Sequence, residues 1–380
     1  MESVKRTGYA ELPLHGGKAP QWLVNRMIHL AKQIVTIILD EYGHEIFLQR
    51  ISDPYWFQAL GCVLGYDWHS SGVTTVLTGV LKSAIDPKEL GVAVCGGKGK
   101  ASNRAQFEIG SASSELGFSL EDTDRLKYAS RMSAKVDNVA IQAGYPLYHH
   151  AFFLSHDGKW AVVQQGMSVA DRTARRYHWL SENLRSFIER PHAAIVGDVK
   201  REAALDMTAK ESEGCRRVSV DLSKERPEKV ARLLQSIRPS YQRTLQEWMP
   251  YTQDEGKTLI ADYLSMPATI NWKALKKAYE FQPKNYEELL SVRGLGPSTI
   301  RGLSLISELV YGEKPSWKDP VKYSFAYGGK DSVPFPVNRK AMDSSILFLK
   351  EAIENSRLGD KEKMMSLQRL RKNLPIDRAS

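Results

Sequence analysis

Apolar residues return every three or four positions from Gln21 to Tyr42, at Trp22, Met27, Leu30, Ile34, Ile37 and Ile38. That spacing predicts an amphipathic helix, closed by Gly43. A second helix is predicted over 45–61 with a break at Pro54, and a third from Gly72 to Ile85, ending before Pro87. Residues 90–95, Leu-Gly-Val-Ala-Val-Cys, read as a strand leading into a glycine–lysine loop, Gly96 to Lys100. Residues 121–143 are helical by period. Tyr148–Leu154 and Trp160–Gln165 are apolar runs around Asp157-Gly158, the pattern of a β-hairpin. Residues 171–189 read as a helix with an arginine-rich start at Arg172, Arg175 and Arg176, and 191–197 as a short strand.

Residues 200–225 are mixed and polar. From Pro227 onward nearly everything reads as helix, broken by Pro239, Pro250, Pro267, Pro283 and a loop at 312–336. The expected fold is α+β. A mixed α/β domain with a short antiparallel hairpin spans 1–200, a linker or irregular cap 201–225, and an all-α helix-hairpin-helix domain 226–380.

Residues 286–311 carry the most specific pattern. A short helix ends in Val292-Arg293-Gly294-Leu295-Gly296, and Pro297 opens a second helix that buries Ile300, Leu303, Ile306 and Val310. Gly294 and Gly296 permit positive φ and a close approach of backbone to a phosphate, while Leu295 plugs the turn into the core. The first amides of the second helix face outward, where the helix dipole favours an anion. Arg293, Ser298, Thr299, Arg301, Lys330 and Arg339 are the expected additional DNA contacts, and turn carbonyls of this kind can hold a monovalent cation. Such contacts go to the backbone and carry little sequence preference.

Charge agrees with that reading. Residues 1–225 hold 27 Lys and Arg against 26 Asp and Glu, whereas 226–380 hold 26 against 18, so +8 of the net +9 lies in the C-terminal part. A field of this sign suits a polyanion, DNA first, with RNA an open alternative. No apolar run approaches a membrane span, and Met1 to Arg6 has no signal-peptide core. Cys62, Cys95 and Cys215 are too far apart for a zinc pattern and are expected as reduced, buried thiols. Together these features predict a cytoplasmic, nucleoid-associated protein.

Candidate chemistry falls in 60–170. Asp67 and His69 precede a glycine-started helix, Lys98 and Lys100 lie in the glycine loop, and Lys135, Asp137 and Gln142 follow on a helix. His149 and His150 sit on a strand facing Gln164 and Gln165, and alternation places only one histidine on each face. A metal-dependent phosphodiesterase needs carboxylates, a histidine and a lysine near the scissile phosphate. Asp67, Asp137 and His149 are the expected ligands of a divalent Mg or Mn ion, and His69, Lys98, Lys135 and Gln164 complete the expected catalytic set. The loop at 96–100 lacks Walker spacing.

Several segments resemble a prokaryotic, largely archaeal family known as a domain of unknown function. They are Tyr66-Asp67-Trp68-His69-Ser70-Ser71-Gly72-Val73-Thr74-Thr75, Tyr148-His149-His150, Gln164-Gln165-Gly166-Met167 and the stretch from Asp319 to Asp331. The likeness covers nearly the whole chain and implies no activity. The C-terminal part also resembles helix-hairpin-helix DNA glycosylases, whose catalytic aspartate follows the hairpin in a Pro-x-x-Val-Asp segment. Here Pro334-Phe335-Pro336-Val337-Asn338-Arg339 puts Asn338 at that position, and an amide cannot carry the charge that stabilises an oxocarbenium ion. Either Asp331 or Asp343 substitutes, or the domain binds DNA without glycosidic chemistry. The leading reading is therefore a DNA-binding protein, a metal-dependent nuclease or other DNA-processing enzyme. The alternatives are a non-catalytic nucleic-acid-binding module and a glycosylase or lyase.

Overall fold

The computed structural model describes residues 21–66, 72–197, 199–237, 267, 269–321, 339–357 and 359–372, with backbone alone at 339–345 and 371–372. Asp67, His69 and Lys330, the resembling stretch from Lys322 to Asp331, and the segment through Asn338 lie outside the described residues, as do the side chains of Arg339 and Asp343.

The fold is α+β. A five-stranded antiparallel sheet is formed by β1 (Val92–Lys98), β3 (Leu147–Ser155), β4 (Trp160–Ser168), β5 (Thr173–Leu180) and β6 (Ala194–Gly197), in the order β1-β3-β4-β5-β6. A separate pair joins β2 (Ile141–Gln142) to β7 (Leu205–Asp206). The expected hairpin is β3–β4, in register Leu154↔Trp160 through His150↔Gln164.

Both faces of the sheet are covered. Val94, Phe153, Val163 and Leu180 face one core with α1 (Gln21–Ser52), α2 (Pro54–Val63) and α3 (Gly72–Ala84). Gly43 kinks α1 at φ 82°, where the sequence pattern ends a helix, and Asp53 caps α2 through the amides of Tyr55 and Trp56. The short α4 (Pro87–Leu90) leads into β1. Cys95, Phe152, Val162 and Trp179 face the second core with α5 (Ala105–Glu115), α6 (Leu120–Lys135), α7 (Glu213–Ser223) and α8 (Pro227–Ser236). The helical hairpin joins this second core through α9 (Trp272–Phe281), α10 (Tyr286–Ser291) and α11 (Pro297–Tyr311). The last helices, α12 (Arg339–Asn355) and α13 (Asp360–Lys372), pack instead on α2, opposite the hairpin.

Three expectations change. Residues 173–180 form β5 rather than a helix, because both faces of the strand are buried and its arginines find partners inside. The helix expected to 143 ends at Lys135, followed by a π-turn at Val136–Ala140 and then β2, which carries Gln142. The polar stretch 200–225 contains β7 and α7, whose Cys215, Val220 and Leu222 share a core with Ile300, Leu303 and Ile306. Its polar residues mask a helix with one apolar face. All three cysteines are free and buried, and among the described residues no helix is long and apolar enough to cross a membrane.

Candidate functional site

The hairpin forms where its pattern places it. Asn285 caps α10, Leu295 is 1% exposed in the core, and Gly294 takes φ 91°, a conformation that favours glycine. Gly296 differs from expectation. It is extended (φ −117°, ψ −179°) and caps α11 without a side chain, and a Cβ there would meet nothing within 4 Å. Its use is therefore open space over the helix start rather than a special dihedral.

Arg293 and Ser298 are exposed on this tip. Thr299 is not: it is 1% exposed, and its Oγ1 accepts from the amide of Asn271 at 3.3 Å. Arg301 lies over the Trp317 ring, 5.4 Å from its centroid, one helical turn from the tip. The turn carbonyls are occupied from within the protein. Lys135 Nζ donates to the Leu295 carbonyl at 2.5 Å and, at longer range, to that of Val292 at 3.5 Å, while Asn271 Nδ2 donates to that of Gly294 at 3.0 Å. An ammonium group thus stands where a monovalent cation was expected.

Between the hairpin, α6 and the start of β3 lies a cavity of about 900 Å³. Arg131, Lys135 and Arg293 are the charged side chains on its wall, and no Asp or Glu lines it among the described residues. Tyr148, His149 and His150 of β3, Ser130 of α6 and Gln106 of α5 also line it. Lys98 and Lys100 are exposed and do not line it, although Ser102 and Asn103 of the same segment do. The glycines of that segment serve the sheet. β1 runs through Gly96, Gly97 and Lys98, and a Cβ on Gly96 would fall 2.2 Å from the His150 carbonyl oxygen.

The two histidines diverge as strand alternation requires. His149 faces α3, with Nε2 3.0 Å from Thr78 Oγ1. Burial, then the nearby His150 and Lys98, push its pKa down to about 3, so it is neutral at physiological pH. His150 faces α6, with Nε2 2.9 Å from Ser130 Oγ and Nδ1 2.8 Å from Gln164 Oε1. Gln164 Nε2 donates to Asp137 Oδ2 at 2.5 Å, and Trp179 Nε1 donates to the same oxygen at 2.9 Å. His192 Nε2 bonds Asp137 Oδ1.

Asp137 is therefore 1% exposed, held on both oxygens, and on the opposite face of the sheet from His149. The structure does not bring these two expected metal ligands together. Among the described residues no group of three or more His, Cys, Asp or Glu is placed to hold a metal ion. Of the expected catalytic set, Lys135 and His149 reach the cavity, and Gln164 stands behind it through His150. Ser130, Gln106 and Arg131 are the residues that sequence reasoning did not single out. Ser130 and Arg131 are sequence neighbours on an ordinary amphipathic helix, and only the pairing of α6 with β3 gives them meaning.

A family model described as a protein of unknown function, DUF763, matches residues 8–337, and the chain belongs to that family. No curated protein and no solved structure matches it.

Proposed function

We propose that this DUF763 protein binds a nucleic-acid backbone, DNA in the first instance, with the hairpin tip and the adjoining cavity as its grip. The observation that carries the reading is the cavity wall: Arg131, Lys135 and Arg293 line it, and no Asp or Glu does among the described residues. Low-dielectric walls lined by one sign of charge focus the field and concentrate a counter-ion, here a phosphodiester. The exposed Gly294 and the half-buried Gly296, with open space above it, give room for close approach, and the +8 balance of residues 226–380 supplies the longer-range attraction.

Binding is proposed without a metal-dependent step, because Asp137 and His149 turn to opposite sides of the sheet. A nuclease reading that uses Mg or Mn would have to draw on Asp67 and His69. Fluorescence anisotropy with single-stranded, duplex and branched DNA, and with RNA, over a salt series tests the reading. Binding should weaken linearly in log salt, and Arg293→Glu should weaken it roughly tenfold, about 1.4 kcal/mol. Absence of binding to every ligand at low salt would sink it. Adding magnesium or manganese to the same mixtures and resolving the strands reads the nuclease alternative.

A further inference from the structure

Six polar side chains at and behind the cavity wall form one hydrogen-bonded chain whose proton directions are determined by its two ends. At one end Asp137 is a carboxylate and can only accept, so Gln164 must present Nε2 to it, at 2.5 Å. That turns Gln164 Oε1 toward His150 Nδ1, 2.8 Å away, and an amide oxygen can only accept. His150 therefore carries its proton on Nδ1 and leaves the Nε2 lone pair free, 2.9 Å from Ser130 Oγ.

The other end agrees. Arg131 is a pure donor, and a long contact of 3.4 Å from its NH1 group to Gln106 Oε1 turns Gln106 Nε2 toward Ser130 Oγ, at 3.1 Å. The Ser130 hydroxyl accepts from Gln106 and has its own proton left for His150. Every amide flip and the imidazole tautomer follow from the charges at the ends.

We infer that Ser130 is an activated nucleophile on the wall of the cationic cavity, with His150 as its general base, acting on a phosphate ester. Ser130 and His150 both line the cavity that holds Arg131, Lys135 and Arg293. Ser130 Oγ forms the new bond to phosphorus as its proton passes to His150 Nε2. The bond from phosphorus to the leaving oxygen breaks on the side opposite Ser130, and that oxygen takes its proton from a water molecule in the cavity. The hydroxide so formed displaces Ser130 from the phosphoserine, and Ser130 Oγ recovers its proton from His150 Nε2. No oxidant or other co-reactant is needed. The imidazolium formed midway is buried, and the Asp137 charge, relayed through Gln164, offsets it. Burial dominates in the resting state and lowers the His150 pKa, which keeps the base unprotonated. Gln164 and Asp137 are positioning residues, since neither lines the cavity. The activated hydroxyl stands on this geometry alone, whereas the phosphate-ester substrate rests on the nucleic-acid reading.

Diisopropyl fluorophosphate and bis(p-nitrophenyl) phosphate are the probes. The intact chain should gain one adduct, mapped to Ser130 by peptide mass spectrometry, and should release p-nitrophenolate. Ser130→Ala should lose both. Asp137→Asn should slow labelling at least about tenfold and move the rising limb of its pH–rate profile to lower pH, because a raising charge near His150 is gone. A merely structural Asp137 would leave that limb in place. Neither an adduct nor turnover sensitive to Ser130→Ala overturns the inference. DNA retention by the unlabelled wild type is measured in parallel. Retention without labelling refutes the activated serine and leaves the binding proposal intact. Labelling without retention supports the serine and removes its phosphodiester substrate.

Discussion

Lys135 Nζ on α6 donates to the carbonyl oxygen of Leu295 at 2.5 Å, tying the turn of the hairpin to the helix that lines the cavity. Burial pushes the Lys135 pKa down, yet the ammonium stays where turn carbonyls can solvate it. Lys135→Met should destabilise the fold by about 1–3 kcal/mol in urea denaturation, the typical cost of leaving buried carbonyls without their charged donor. The vacated carbonyls should then respond to potassium. Replacing it by tetramethylammonium should lower the melting temperature of the variant and leave the wild type unmoved. A wild type equally sensitive to potassium would mean that the turn binds a cation elsewhere.

The two glycines of the tip should behave differently on substitution. Gly294 needs φ 91°, and its added Cβ would also touch Ala274 Cβ and Asn271 Nδ2 at 3.4 Å, so Gly294→Ala should cost about 1 kcal/mol of stability or somewhat more. Gly296→Ala has an ordinary dihedral and free space, so thermal melting should stay within about 0.5 kcal/mol of wild type. Its methyl group would stand over the start of α11, and DNA affinity should drop severalfold in anisotropy. Equal affinities for Gly296→Ala and wild type would place the phosphate away from that helix start.

Stability should fall in mild acid, and His149 is one identifiable cause. Its folded pKa of about 3 lies below the ordinary 6.5, so between those values the unfolded chain binds a proton that the folded chain refuses. Stability from this group is complete above pH 6.5 and is lost as pH falls toward 3, at up to roughly 1.4 kcal/mol per pH unit. His150 and His178 are shifted the same way by burial and add to the slope. Urea midpoints of wild type and His149→Gln between pH 7 and 4.5 should differ in slope by about one proton. Parallel curves would show that His149 titrates normally.

Elements whose environment is one-sided were legible from spacing alone. The apolar period of α1, the Asp-Gly hairpin of β3–β4 and the glycine turn before Pro297 all form as read. β5 was illegible for a physical reason. Thr-Ala-Arg-Arg-Tyr-His-Trp-Leu has no polar face to alternate with an apolar one, because the whole strand is buried and its charged side chains are matched by residues distant in sequence, such as Gln58 and Asp319. The site divides likewise. The hairpin tip could be read as a motif, and the opposite facing of His149 and His150 follows from strand period. The chain from Ser130 to Asp137 depends on α6 lying across β3, a tertiary fact that no local pattern encodes.

Asp319 opens the segment Asp-Pro-Val-Lys-Tyr, one of those that carry the family likeness, and its position argues for a structural role. It pairs with Arg175 at 2.6 Å, both side chains have no solvent exposure, and Arg175 also lies over the Tyr145 ring, 4.4 Å from its centroid. Asp319 further accepts from the amides of Arg201 at 2.7 Å and Val321 at 3.1 Å, which pins the crossing of 199–201 against the start of the loop after 319. Asp319→Asn leaves a guanidinium buried without its counter-charge, so chemical denaturation should show a loss of about 3–5 kcal/mol. Replacing both partners, as Arg175→Met with Asp319→Leu, removes the stranded charge and should recover part of that loss. Recovery should stay incomplete, because the amides of Arg201 and Val321 still lack an acceptor. If Asp319→Asn alone proved as stable as wild type, the pair would contribute no net stability, and this stretch of the chain would owe its place to packing of Val321.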